Sequence, residues 1–207
     1  MTKVYLVRHG ITDWMEKEIL HGISDRPLSD TGSRQADATA EFLKEVKFDR
    51  IYTSPLLRAK QTAEKIGSKT GIIPIPVEDL KEENYGIMEG KRDWWPTVKT
   101  KPFIIPFYSY TRIAISTLTG EPFWKFKQRI ANVWESIKSE NPTGTIAVVA
   151  HSGVLRHILR HEFGGSRMSK SFTMTAASVS EIEVDGKGNA RVIKINQNAH
   201  LPGDNFL

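Results

Sequence analysis

Short β-branched and apolar runs punctuate this chain, and between them lie stretches whose apolar residues recur every three to four positions. Lys3–Arg8 (KVYLVR) is mostly apolar, as a buried strand requires, and Asp49–Ser54 (DRIYTS) and Thr145–Ala150 (TIAVVA) read the same way. Ser29 is placed to cap a helix whose Ala36, Ala40, Leu43 and Val46 share a face. Pro55 opens a second helix to about Ser68, at a position where proline costs no helical hydrogen bond. Ile72–Val77 is apolar too, but Pro74 and Pro76 push it to a sheet edge. Phe123, Phe126, Ile130, Val133 and Ile137 define an amphipathic helix, and Val154–Phe163 is helical again. Ser178–Val184 and Ala190–Ile195 flank a turn at Gly186–Gly188 and predict a hairpin. From about Arg92 to Gly120 no period holds, and aromatics and prolines accumulate.

Strands alternating with helices predict an α/β fold: a three-layer sandwich with a largely parallel central sheet, helices on both faces and the hairpin as an antiparallel edge. A length of 207 residues suits a single domain, 1–207, with an inserted lid over about 91–120. At 39% hydrophobic and 26% charged residues, disorder and coiled coil are excluded. The lack of an apolar run of about 18 residues predicts no membrane span. The chain enters its first strand without a secretory leader, so the cytoplasm is the expected compartment. Cysteine is absent, which removes disulfides, thiolate ligands and a cysteine nucleophile. The net charge of +5 invites a nucleic-acid reading, but residues 91–130 alone carry +6 and the remainder is −1. With no recognition motif in that segment, no nucleic-acid partner is expected.

Ligands of such sheets sit outside the carboxyl ends of the strands. Three of those ends carry Arg8-His9, Thr53-Ser54 and His151-Ser152. One histidine at a strand end is compatible with simple packing; two, each followed by small residues, point to chemistry. Arg8 offers a planar fork for phosphate or carboxylate. Gly10 lets backbone approach a ligand, and Ser152-Gly153 opens a helix whose amides suit an anion. Arg58 adds a second cation one turn into its helix.

Arg8-His9-Gly10-Ile11-Thr12, the run Ser54–Ala63, Glu82 four residues before Gly86, and Ala150–Gly153 together resemble the histidine phosphatase superfamily, in its phosphoglycerate-mutase-like branch. The likeness runs from residue 3 to about 90 and from about 120 onward, including Ala199-His200-Leu201. It implies a phosphomonoester hydrolase that needs neither metal nor cofactor, with His9 as nucleophile through a phosphohistidine. Arg8, Arg58 and a cationic His151 would surround the phosphoryl oxygens, and Glu82 would serve as general acid and base, holding a proton at working pH. Glu83 is the adjacent rival, and the spacing to Gly86 selects Glu82. Thr12, His21, Gly22 and Ser152 are implied substrate contacts. Two positions depart from the family: Met15 stands where an asparagine is usual, and His21 where a glutamine is.

A phosphoglycerate-type mutase is the first alternative, but such mutases are longer and carry Gly-Asn after the second histidine, where this chain has Ser152-Gly153. A non-catalytic phospho-ligand binder would lack His9 or Glu82. His157 and His161 have a zinc-compatible spacing without a third ligand, so no metal site is expected. His200 is expected to close a terminal contact. The aromatic residues Trp94, Trp95, Phe103, Phe107 and Tyr108 are expected either to pack the lid or to grip substrate. The expected partners are a small phosphoester and, at most, a second copy of the chain in a homodimer.

Overall fold

In the computed structural model, residues 1–92, 105–164, 174–185 and 189–201 are described. Six strands form one sheet: β1 (Thr2–Arg8), β2 (Arg50–Thr53), β3 (Ile75–Pro76), β4 (Gly144–Ala150), β5 (Val179–Val184) and β6 (Ala190–Gln197). Their order is β3-β2-β4-β1-β5-β6; the first four run parallel, while β5 and β6 form the antiparallel hairpin edge. Pro74 and Pro76 have the effect expected of them, since proline cannot donate to a ladder, and β3 shrinks to two edge residues.

Period-two alternation sorts the central strands onto two cores. Val4 and Leu6 of β1 join Ile146, Val148 and Ala150 of β4 on one face, against Phe126, Ile130 and Trp134. Tyr5, Val7, Ala147 and Val149 face the other way, against Ala40, Leu43, Ala63 and Ile66. The helices α2 (Asp30–Leu43) and α3 (Leu57–Thr70) therefore cover one face, and α5 (Phe123–Glu140) and α6 (Ser152–Phe163) the other. Each fully buried aliphatic side chain in these layers contributes about 1.5–3 kcal/mol. The three-layer sandwich holds.

Two helices fall where no regular element was expected. One is α1 (Asp13–Glu16), a single turn capped by the Thr12 hydroxyl, which accepts from the Met15 amide. The other is α4 (Ile105–Thr119), within the stretch that showed no period. Apolar and hydroxyl residues alternate along its sequence without a single apolar stripe, which erases the 3.6-residue signal. Pro106 sits in its first turn, where it is tolerated. The far end of α4 is tied to the loop after β3: the Glu121 amide donates to Asn84 O at 2.9 Å and the Ile87 amide to Thr119 Oγ1 at 3.3 Å. Trp94, Trp95, Lys99, Lys101 and Phe103, the loop 186–188, and the side chains of Phe107, Tyr108 and Arg112 lie outside what is described.

Candidate active site

Because β1 and β4 are parallel neighbours with Arg8 opposite Ala150, the next residues along each strand, His9 and His151, emerge side by side. The His9 amide donates to Ala150 O at 3.0 Å, and the two imidazole centroids are 5.0 Å apart. Ser54 leaves β2 on the far side of β4, its amide bound to Val149 O at 3.0 Å.

Each ring has a defined hydrogen-bonding role. His9 Nδ1 lies 2.6 Å from Gly10 O. A carbonyl only accepts, so Nδ1 carries the proton and Nε2 keeps its lone pair. Burial, then the charges of Arg58 and Arg8, hold the His9 imidazole well below its ordinary pKa. His151 Nδ1 accepts from Arg58 Nε at 3.2 Å, which leaves its proton on Nε2, 2.8 Å from Ser54 Oγ. Burial and the Arg58 guanidinium push this imidazole down as well. His151 is thus neutral in this arrangement, contrary to the cation expected, because a guanidinium N–H already occupies the nitrogen that would be protonated.

Arg58 is almost fully buried and braced by backbone carbonyls, Nη1 on Ser24 O at 2.9 Å and Nη2 on Gly22 O at 2.6 Å. Arg8 Nη1 donates to Met174 O at 2.6 Å, and its Nη2 is 3.9 Å from Met15 Sδ. Met15 therefore offers Arg8 a weak sulfur acceptor where the family has an amide. Burial lowers both guanidinium pKa values to about 10, which leaves both charged near neutrality. Glu82 approaches from the loop after β3: Oε2 accepts from the Gly153 amide at 2.9 Å, in the first turn of α6, and Oε1 from the Glu83 amide at 3.1 Å. His21 Nε2 is 3.4 Å from Thr12 Oγ1, with its ring 6.4 Å from that of His9. Burial and Arg58 lower the His21 pKa to about 4. Ser152 begins α6 beside His151. His9, Arg8, Arg58, Glu82, His151, Thr12, His21, Gly22 and Ser152 all converge on the carboxyl ends of β1 and β4.

The family model for the histidine phosphatase superfamily (branch 1) matches residues 4–198. The chain belongs to that superfamily. A Bacillus subtilis relative described as an uncharacterized phosphatase, PhoE, is 32% identical over 98% of this chain and 98% of its own length. A metal-independent phosphoserine phosphatase of Arabidopsis thaliana is 36% identical over 76% of this chain and 67% of its own. Among solved structures, Bacillus stearothermophilus YhfR superposes with a TM-score of 0.83 at 28% identity, over 97% of this chain and all of the other. A phosphoserine phosphatase from Entamoeba histolytica, in complex with phosphoserine, gives 0.78 at 26% identity, over 97% of this chain and all of that one. This histidine phosphatase is a phosphoric monoester hydrolase.

One organising residue of this histidine phosphatase escaped the sequence reading. Glu89 receives four donors: the Ile23 and Tyr85 amides at 3.0 Å, the Ser24 amide at 2.7 Å, and the Ser24 hydroxyl. These bonds hold its carboxylate below the usual range despite partial burial. They also fix the loop whose Gly22 and Ser24 carbonyls brace Arg58. The available signal was a carboxylate immediately before Gly90 in a loop that already carried Glu82.

The remaining histidines have ordinary work. His157 Nδ1 is 3.0 Å from Gly153 O, with its ring edge-on to Phe123 and Phe126. His161 pairs with Glu135 at 2.6 Å, so the two histidines do not converge. Glu135, His161 and Glu162 do bring ligand atoms within 4.8 Å of one another. Lys138 Nζ, however, is 2.8 Å from both Glu135 and Glu162, and an ammonium at that point repels a metal ion. His200 stacks on Phe42 and bonds Thr39 Oγ1 and Ala177 O, closing the terminal contact expected of it. Among the described residues no helix is long and apolar enough to cross a membrane.

Proposed function

We propose that this hydrolase cleaves small phosphomonoesters in two displacements through His9. His9 Nε2 attacks phosphorus while the ester P–O bond breaks, and Glu82 gives its proton to the leaving alkoxide. Water then attacks the phosphohistidine, Glu82 takes the proton back, and the P–N bond breaks to release phosphate. Arg8 and Arg58 face the charge on the transferring group, where positioning and electrostatics supply most of the catalysis. His151 donates from Nε2 and keeps Arg58 in register through Nδ1. None of these steps calls on a metal. Hydrolysis is favoured over a mutase reading by Ser152-Gly153 after the second histidine. The phosphoserine phosphatases among the relatives support a small metabolite ester as substrate. We read the chain as a single-domain cytoplasmic enzyme, with residues 91–120 as its lid, that works as a monomer or a homodimer.

The tethering of His9 Nδ1 to Gly10 O carries this reading, since it fixes a neutral nucleophile whose free nitrogen is Nε2. Rapid quenching with labelled para-nitrophenyl phosphate should trap acid-labile, base-stable phosphate on His9, with turnover unaffected by EDTA. His9→Ala should lose about three orders of magnitude in rate. Label on His151, or activity that needs added metal, overturns the assignment.

A further inference from the structure

Two residues other than glycine stand in left-handed backbone behind Arg8. Ala177 has φ +56° in the turn that leads into β5, and Asn196 has φ +52° in β6. Such a conformation costs free energy wherever a Cβ is present, least for asparagine, and it persists where the surrounding structure forces it. The bend at Asn196 belongs to a bulge. Val179 pairs with Gln197 and Glu181 with Lys194, so β6 advances three residues while β5 advances two. A bulge of this kind re-aims a side chain. β6 is the outermost strand and none of its eight residues is fully buried, so close packing does not require the bulge.

The re-aimed side chain holds one turn. Asn196 Oδ1 accepts from the Thr175 amide at 2.7 Å and from the Thr175 hydroxyl at 3.1 Å, while the Asn196 amide donates to Ser180 Oγ at 2.9 Å. The Ser178 amide closes the turn on Thr175 O at 3.1 Å. Both ends of that turn meet Arg8 and His9. At its start the Met174 carbonyl takes Arg8 Nη1 at 2.6 Å. At its end the Ala177 amide donates to His9 O and the Arg8 amide to Ser178 O, each at 3.1 Å. From the other side Thr39 Oγ1 and His200 Nε2 lie 2.9 and 3.2 Å from the Ala177 carbonyl. Thr175 is thus the immediate neighbour of the carbonyl that anchors the Arg8 guanidinium, and Asn196 grips Thr175 by two bonds.

We infer that Asn196 is a positioning residue for the phosphate pocket: from the bulge in β6 it fixes the 174–178 turn, whose Met174 carbonyl aims the Arg8 guanidinium at the phosphoryl group. The inference rests on the reading of Arg8 as a phosphate ligand and adds the side chain that orients it. A guanidinium binds phosphate through a planar fork, so its orientation matters as well as its charge. Release of the turn therefore shows itself in affinity for phosphate, and only while Arg8 is present.

Calorimetric titration of the full chain with inorganic phosphate tests this and needs no turnover. Asn196→Gly keeps the left-handed backbone, which glycine adopts freely, and removes only the acceptor. It should weaken phosphate binding about tenfold, the scale of one charge-assisted hydrogen bond pulled out of its geometry. Asn196→Asp keeps an acceptor for both Thr175 donors and should stay within about threefold of the wild type. Thr175→Val loses the hydroxyl donor alone and should fall between the two. In an Arg8→Gln background Asn196→Gly should change nothing further, since residues that act through one another do not add. The inference is overturned if Asn196→Gly melts at a lower temperature yet binds phosphate like the wild type, or if it weakens binding as much without Arg8 as with it. Equal losses in Asn196→Asp and Asn196→Gly overturn it as well. A wild-type protein that binds no phosphate, or whose binding ignores Arg8→Gln, overturns the reading of Arg8 itself, a different failure.

Discussion

At Gly153 the helix α6 presses its backbone against the proposed general acid so closely that a side chain has no room. A Cβ there would lie 2.2 Å from Glu82 Oε1, inside any tolerable contact. The same approach lets the Gly153 amide hold Glu82 Oε2 at 2.9 Å. Gly153→Ala must therefore swing the carboxylate away from the leaving group. We expect kcat for an alkyl phosphate to fall about 10²-fold, the lower range for a displaced general acid. Para-nitrophenyl phosphate, whose leaving group needs little protonation, should lose much less. Steady-state kinetics on the two esters checks this; parallel losses would mean that the substitution damages the phosphate pocket instead. The sequence could not express the neutral state of His151 either. The residue type was legible, but its proton position depends on Arg58, which reaches it from a different helix.

Elements explain what was readable in advance and what was not. The strand ends that carry His9 and His151 stood out because β1 and β4, in mid-sheet, are near-continuous apolar runs. The cap of α2 was equally plain, and the Ser29 hydroxyl does accept from the Gly32 amide at 3.2 Å. By contrast the sequence of α4 has no single apolar stripe, and α1 has only four residues, too few to show a period. The loop 22–24 has no pattern of its own; it is held from a distance by Glu89. Glu89→Gln replaces half of that acceptor set with a donor facing backbone N–H groups, which costs about 1–3 kcal/mol. The freed loop would brace Arg58 poorly. The expected result is a lower melting temperature together with a roughly tenfold weaker inhibition by inorganic phosphate, while Glu89→Asp retains part of both. Unaltered phosphate inhibition in a destabilised variant would confine Glu89 to the scaffold.

For the molecule as a whole, the cluster of depressed imidazoles has a thermodynamic cost with a definite sign. His9, His21 and His151 all bind protons more weakly in the folded chain than unfolded imidazoles, which titrate near 6.5. Below about pH 6.5 the unfolded chain takes up protons that the folded chain refuses, so folding stability falls as pH falls and recovers as it rises. For His21, with a folded value of about 4, the loss at pH 4 is about 3 kcal/mol. Urea titrations between pH 7 and pH 4.5 should show this slope, and His21→Gln should remove the share that His21 contributes while leaving that of His9 and His151. A stability that is level across the window would mean that these rings are charged in the folded state.

The strand order also has a consequence for how the chain is made. β1 lies in the middle of the sheet, yet both its neighbours, β4 and β5, come from residue 144 onward. A ribosome therefore releases the central strand long before anything exists to pair with either of its edges. Until β4 emerges, the apolar residues Val4, Leu6 and Val7 have no sheet to enter, and long-range pairing of this kind is slow and exposed to aggregation. Because His151 follows β4, no fragment that stops short of that strand can bring the His9 and His151 rings together.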